Sequence, residues 1–265
     1  MRVNLGAIAA AILAFAPAGA LAHDFFLLPE TFRASSAVQL EASVAGSFPT
    51  PEIVVGEDRI AETRASEGAA LRILGPSSRS LRLSLEAGAP GAHLAAVRLL
   101  PRDVEYAEDR IPLIMEEYEV DEAARAAVAG LPAPRVLRAS SERFAKSIVC
   151  FQSCEDRARA AQAAGYPLEF VADPANTGRF VLLLMGTPLP NYPVALAREH
   201  ERAHLVTDAT GGVVVGEDVS GPFMLFAAHM SAPADAGQRF RMLLTSLTAQ
   251  LDERASPLFS RQRAR

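Results

Sequence analysis

The feature that most limits the fold is a succession of seven short strand-like segments within residues 166–252, with turns between them. In order they are PLEFVA, FVLLLMG, PVALARE, AHLVTD, GVVVGE, PFMLFAAHM and RMLLTSLTAQL. Short apolar or alternating runs bounded by Gly, Pro, Asn and Asp read as strands, and this density suits a β-sandwich. Thr207-Asp208-Ala209-Thr210-Gly211-Gly212 is a turn signal, expected to join two strands of a hairpin.

The first part of the chain is patterned in the same way. Val38–Ser43 and Leu81–Leu85 alternate, Leu94–Leu99 is a denser apolar run, and Pro and Gly punctuate at 46–51, 75–76 and 88–91. Residues 23–105 are therefore expected to form an N-terminal β-sandwich, and residues 165–252 a C-terminal one. Between them the character changes. Ala, Glu and Arg dominate residues 106–164, with DEAARAAVAGL and CEDRARAAQAAG as the clearest helical stretches. The region reads as a mainly helical linker or insertion. Residues 253–265 are polar and basic and read as a frayed tail.

Residues 1–22 read as a signal peptide. Arg2 gives the positive start, LGAIAAAILAFAP the apolar core, and Ala20-Leu21-Ala22 the small residues that a signal peptidase reads. As a transmembrane anchor the apolar run is short, and it lacks a positive stop after it. The mature chain is expected to begin at His23 and to be a soluble periplasmic or secreted protein. The full chain's net charge of −5 suits no nucleic-acid partner, which demands a basic footprint. Its two cysteines, Cys150 and Cys154, are expected to pair locally outside the cytoplasm; a thiolate copper site is the alternative. The chain has no G-x-S-x-G elbow, P-loop, Rossmann fingerprint or H-E-x-x-H motif.

Six stretches occur in the order that one bacterial family shows. His23-Asp24-Phe25-Phe26-Leu27-Leu28-Pro29 is similar to the family's opening AHDFWLEP, with Phe26 in place of a tryptophan. Gly91-Ala92-His93-Leu94 resembles GTHV, and Gly165-Tyr166-Pro167-Leu168-Glu169-Phe170 with Asp173-Pro174 resembles GxPLEIxPxxDP. Gly186-Thr187-Pro188-Leu189 with Val194, Ala228-His229-Met230, and Thr245-Ser246-Leu247-Thr248 complete the series. The series resembles the bacterial DUF4198 family, and the resemblance implies two immunoglobulin-like or transthyretin-like β-sandwich domains. It also implies a relation to periplasmic components of nickel and cobalt uptake.

His23 is the leading chemical candidate. A terminal histidine offers its α-amine and its ring Nδ1 to one metal in a single chelate ring. One further histidine completes a three-nitrogen histidine brace, which suits Cu(II) and also Ni(II). Of the five histidines, His229 and His93 are the partner candidates, each with a plain packing role as its alternative. His200 and His204 would share a face on a helix. Between strands they lie about 13 Å apart along the chain, so a charged hairpin tip is the simpler reading. The expected function is a periplasmic protein that binds copper or nickel/cobalt for uptake or delivery, with a membrane transporter or receptor component as partner. The alternatives are a histidine-brace copper oxidase or monooxygenase, and a metal-free binding or scaffold module.

Overall fold

A computed structural model describes residues 23–251 apart from 200, 217 and 236. The expected signal peptide and the tail from 253 onward lie outside the described residues. In chain order come β1 (Asp24–Pro29), β2 (Arg33–Ala34), β3 (Val38–Ala45), β4 (Ile53–Val54), a 3₁₀ turn (Glu57–Arg59), β5 (Ile60–Ala65), β6 (Ala69–Pro76), β7 (Leu81–Ala87), β8 (Gly91–Leu99) and β9 (Arg102–Ala107). Two helices follow, α1 (Ile111–Glu117) and α2 (Glu122–Ala129). The rest is β10 (Val136–Phe151), β11 (Leu168–Ala172), β12 (Arg179–Leu184), β13 (Thr187–Pro188), β14 (Pro193–Arg198), β15 (Glu201–Val206), β16 (Gly212–Val214), β17 (Pro222–Ser231) and β18 (Phe240–Gln250). The chain is mainly β, as its patterning implies.

The strands form three sheets. The first has the order β1-β3-β7-β6, with β4 on β3. The second is nine-stranded and runs β15-β14-β17-β18-β10-β8-β5, with β2 and β9 also on β10. The third joins β11, β12, β13 and β16. Alternation assigns the two faces of the second sheet. On β18, Phe240, Met242 and Leu244 pack toward α1 and α2, while Leu243, Leu247 and Ala249 pack toward the third sheet. On β8 and β10, Ala95, Val97, Ala145 and Val149 meet Leu40, Leu83 and Leu85 of the first sheet. β18 is buried on both faces, and its buried polar residues, Thr245, Ser246 and Thr248, carry only small hydroxyl side chains.

The insertion differs from its expected character. Ile111–Glu117 and Glu122–Ala129 are helical, and Asp121 caps the second helix by accepting the Ala124 N–H at 2.8 Å. Residues 136–151 are instead a 16-residue strand at the centre of the second sheet. β10 runs parallel to β18 from Ala139↔Phe240 to Ser147↔Thr248, and antiparallel to β8 and β9. The strands of the expected N- and C-terminal halves thus share one sheet through β10. Residues 154–165 do not form the helix their composition suggests. The Asp156 carbonyl accepts the Ala92 N–H of β8 at 2.7 Å, and the Asp156 carboxylate closes a local turn by accepting the Ala158 N–H. The turn at 207–212 also differs, because it crosses between sheets. β15 pairs with β14, and β16 pairs with β12.

One buried ion pair locks the strand junction. Lys146 Nζ on β10 donates to Glu169 Oε2 and to Phe170 O, both at 2.7 Å. The Glu169 carboxylate also accepts the backbone N–H groups of Ala164, Gly165 and Tyr166 at 2.7–3.2 Å. Both side chains are buried, and burial pushes the Lys146 ammonium below its ordinary pKa. The Gly-Tyr-Pro-Leu-Glu stretch is therefore a structural clamp that folds the chain back onto its own carboxylate.

Candidate functional site

β1 lies over the second sheet and is held by side chains as well as by its ladder to β3. Ser246 Oγ donates to Phe25 O at 2.6 Å and Thr248 Oγ1 to Leu27 O at 2.5 Å. Phe25 and Leu27 enter the core with the first sheet, while Phe26 enters the core with the helices. This seating puts the start of β1 beside the C-terminal end of α1.

The acidic segment Glu116–Asp121, from the last residues of α1 to the N-cap of α2, touches the surroundings of three histidines. The His23 main-chain N–H donates to Glu117 Oε1 at 3.2 Å, and Arg143 Nη1 donates to His23 O at 2.7 Å. Next in the chain, Asp24 is buried and accepts Arg202 Nη1 at 2.7 Å. Glu119 faces two groups on β15: His204 Nδ1 at 3.0 Å and Arg202 Nε at 3.9 Å. Two residues farther on, Asp121 Oδ2 lies 4.0 Å from His229 Nδ1, which also lies 3.2 Å from the Tyr192 hydroxyl.

The electrostatics are those of a crowded acidic rim. Burial raises the Asp24 carboxyl above its ordinary pKa, with Arg202 opposing. Burial raises Glu117 in the same way, with the His23 N–H opposing. Two carboxylate oxygens, Asp24 Oδ1 and Glu119 Oε1, are buried without a hydrogen-bond partner. Glu119 also holds φ at +49°, in the left-handed region that favours glycine. A left-handed backbone residue next to buried oxygens that lack a hydrogen bond marks a place where the fold is not optimised for stability alone.

The histidines singled out from the sequence do not all meet. His23 is exposed beside Glu117. His229 is partly buried on β17, and burial lowers its pKa. His93 is fully buried in the core, edge-on to Phe151. Its Nδ1 lies 3.1 Å from Ser66 Oγ and its Nε2 lies 3.0 Å from Ala89 O, so both ring nitrogens are engaged within the protein. His93 is a satisfied core residue, and it is not brought to His23. His200 lies outside the described residues. Cys150 and Cys154 form a disulfide at the end of β10. Among the described residues no group of three or more His, Cys, Asp or Glu is arranged to hold a metal ion, and no helix is long and apolar enough to cross a membrane.

Glu117, Glu119, Asp121, Arg143 and Arg202 were not legible as site residues. Glu116-Glu117 reads from the sequence as a solvated helix face. The one available signal was the density of acids in Glu-Glu-Tyr-Glu-Val-Asp-Glu at the end of an apolar helix.

A family model described as a domain of unknown function, DUF4198, matches residues 20–231. No curated protein matches the sequence significantly. Among solved structures, the D0-D1 domain of Intimin aligns over 84% of this chain and 97% of its own, at 10% identity and a TM-score of 0.18.

Proposed function

The chain belongs to the DUF4198 family, and from that premise we propose that it is a periplasmic metal-binding protein whose anchor is the terminus created at His23. The cargo is copper or nickel/cobalt, taken up or delivered in partnership with a membrane transporter or receptor component. Removal of residues 1–22 converts the His23 amide nitrogen into an amine and leaves the mature protein soluble. The two-sandwich reading, immunoglobulin-like or transthyretin-like, goes with this proposal.

The observation that carries it is the contact between the His23 nitrogen and Glu117 Oε1, at 3.2 Å. An amine at that atom, the Nδ1 of the same residue and the Glu117 carboxylate are three donors from two residues. A chelate of this kind needs no preformed cluster of three side chains. Imidazole and amine suit copper and nickel, and the carboxylate supplies charge. His204 is the preferred completing ligand, because it reaches the same rim through Glu119, beside Arg202 and Asp24. His229, near Asp121, is the second candidate.

Titration of the His23-terminated protein with Cu(II), Ni(II) and Co(II) tests the reading. Binding tighter than micromolar supports it and ranks the metals. Micromolar or weaker binding of all three contradicts it. Peroxide production with ascorbate and copper, above that of free copper, would instead favour a copper oxidase.

A further inference from the structure

We infer that a cleft between the first sheet and β9 binds a small organic carboxylate. Its volume is about 640 Å³, a size suited to a small-molecule ligand. Arg59, Arg102, Ser141 and Arg143 line it together with the apolar side chains of Val44 and Ile53.

Strand alternation sorts the charges around this cleft. Arg102 on β9 is in register with Ser141 on β10, so the two share a face, and Arg143 follows on that face of β10. Asp103 and Glu105 also line the cleft, but by alternation their side chains belong to the other face of β9. There Asp103 pairs with Arg239 at 3.0 Å and Glu105 with Arg138 at 3.1 Å. Among the described residues no carboxylate lies within ion-pair distance of Arg59, Arg102 or Arg143. Arg59 donates to Leu100 O, and Arg143 donates to His23 O at 2.7 Å and to the Tyr118 hydroxyl at 3.4 Å; a guanidinium has five N–H donors, so each keeps others.

Ser141 supplies the second, independent observation. The residue is 6% exposed, and its hydroxyl has no hydrogen-bond partner in the protein. A buried hydroxyl left in this state is costly, and a ligand oxygen accepting from it would remove the cost. Guanidinium groups recognise carboxylates through paired N–H donors. Ile53, 49% exposed at the mouth, gives the ligand's carbon body an apolar wall that a bare inorganic ion would not use.

The test is calorimetric titration of the metal-free mature protein with octanoate, phenylacetate, acetate and inorganic phosphate. Saturable binding of octanoate or phenylacetate is expected, with acetate and phosphate much weaker. Loss of a charged hydrogen bond in Arg102→Ala should weaken the organic carboxylate about tenfold. Ser141→Ala should also weaken it, with thermal stability unchanged or raised, because the hydroxyl has no partner to lose. Absence of saturation by both organic carboxylates would overturn the inference. So would phosphate binding as tightly as they do, or binding indifferent to either substitution.

Discussion

Arg202 on the edge strand β15 places Nη1 2.7 Å from Asp24 Oδ2 at the start of β1, joining residues 178 apart in the chain. The contact ties the two ends of the fold together at the proposed metal site. Its guanidinium also lies over the Phe226 ring, 5.3 Å from the centroid. Removing it leaves a buried carboxyl without its counter-ion. Arg202→Met is expected to cost about 3 kcal/mol in urea unfolding at pH 7. An effect near zero would contradict the pairing of Arg202 with an ionised Asp24.

The clamp on β1 is the next point of failure. Thr248→Val removes the donor to Leu27 O and strands a buried carbonyl, at a cost of about 1–3 kcal/mol. Ser246→Ala should act similarly through Phe25 O. Because β1 carries His23 and Asp24, both variants should also weaken metal binding. Chemical unfolding and metal titration of the same samples check the two effects together.

Lys146 and Glu169 are expected to behave as a unit. Lys146→Met or Glu169→Gln alone leaves a buried charge or several backbone N–H groups unsatisfied, at about 3–5 kcal/mol. The paired variant should be less destabilised than the sum of the two. A double-mutant cycle by urea denaturation measures that coupling.

His93 gives the expected sign of the pH dependence. Burial holds its folded-state pKa below the ordinary 6.5, and it acts on His229 in the same direction. The unfolded chain therefore binds more protons than the folded one as pH falls below about 6.5, so stability present above that pH is lost on acidification. Ser66 Oγ accepts the Leu94 N–H and so turns its own proton toward His93 Nδ1, which fixes the neutral ring with its proton on Nε2. His93→Leu should lower stability at pH 7 by about 1–3 kcal/mol and flatten the slope between pH 7 and 5. Unfolding curves across that range give both quantities.

The strands of both halves were legible because alternation and turn residues are local signals. β10 was not, since Val136–Phe151 mixes Arg, Glu, Lys and Ser into a strand whose charges are satisfied only by partners remote in sequence. His93 looked like a ligand because a sequence does not reveal that Ser66 and Ala89 will meet its ring. The reverse holds for Glu117 and Glu119: a helix end rich in acids reads as solvated until β1 and β15 are laid against it. His204 reads from the sequence as part of a charged hairpin for the same reason, since the spacing His200–His204 says nothing of a carboxylate on another element.

The most direct test compares copper affinity of the protein beginning at His23 with that of a form retaining Ala22, both as wild type and as Glu117→Gln. The account expects tight binding only with the His23 terminus, weakened by Glu117→Gln and further by His204→Ala. Equal affinity with and without Ala22 would contradict it, because the amine at the His23 nitrogen would then play no part.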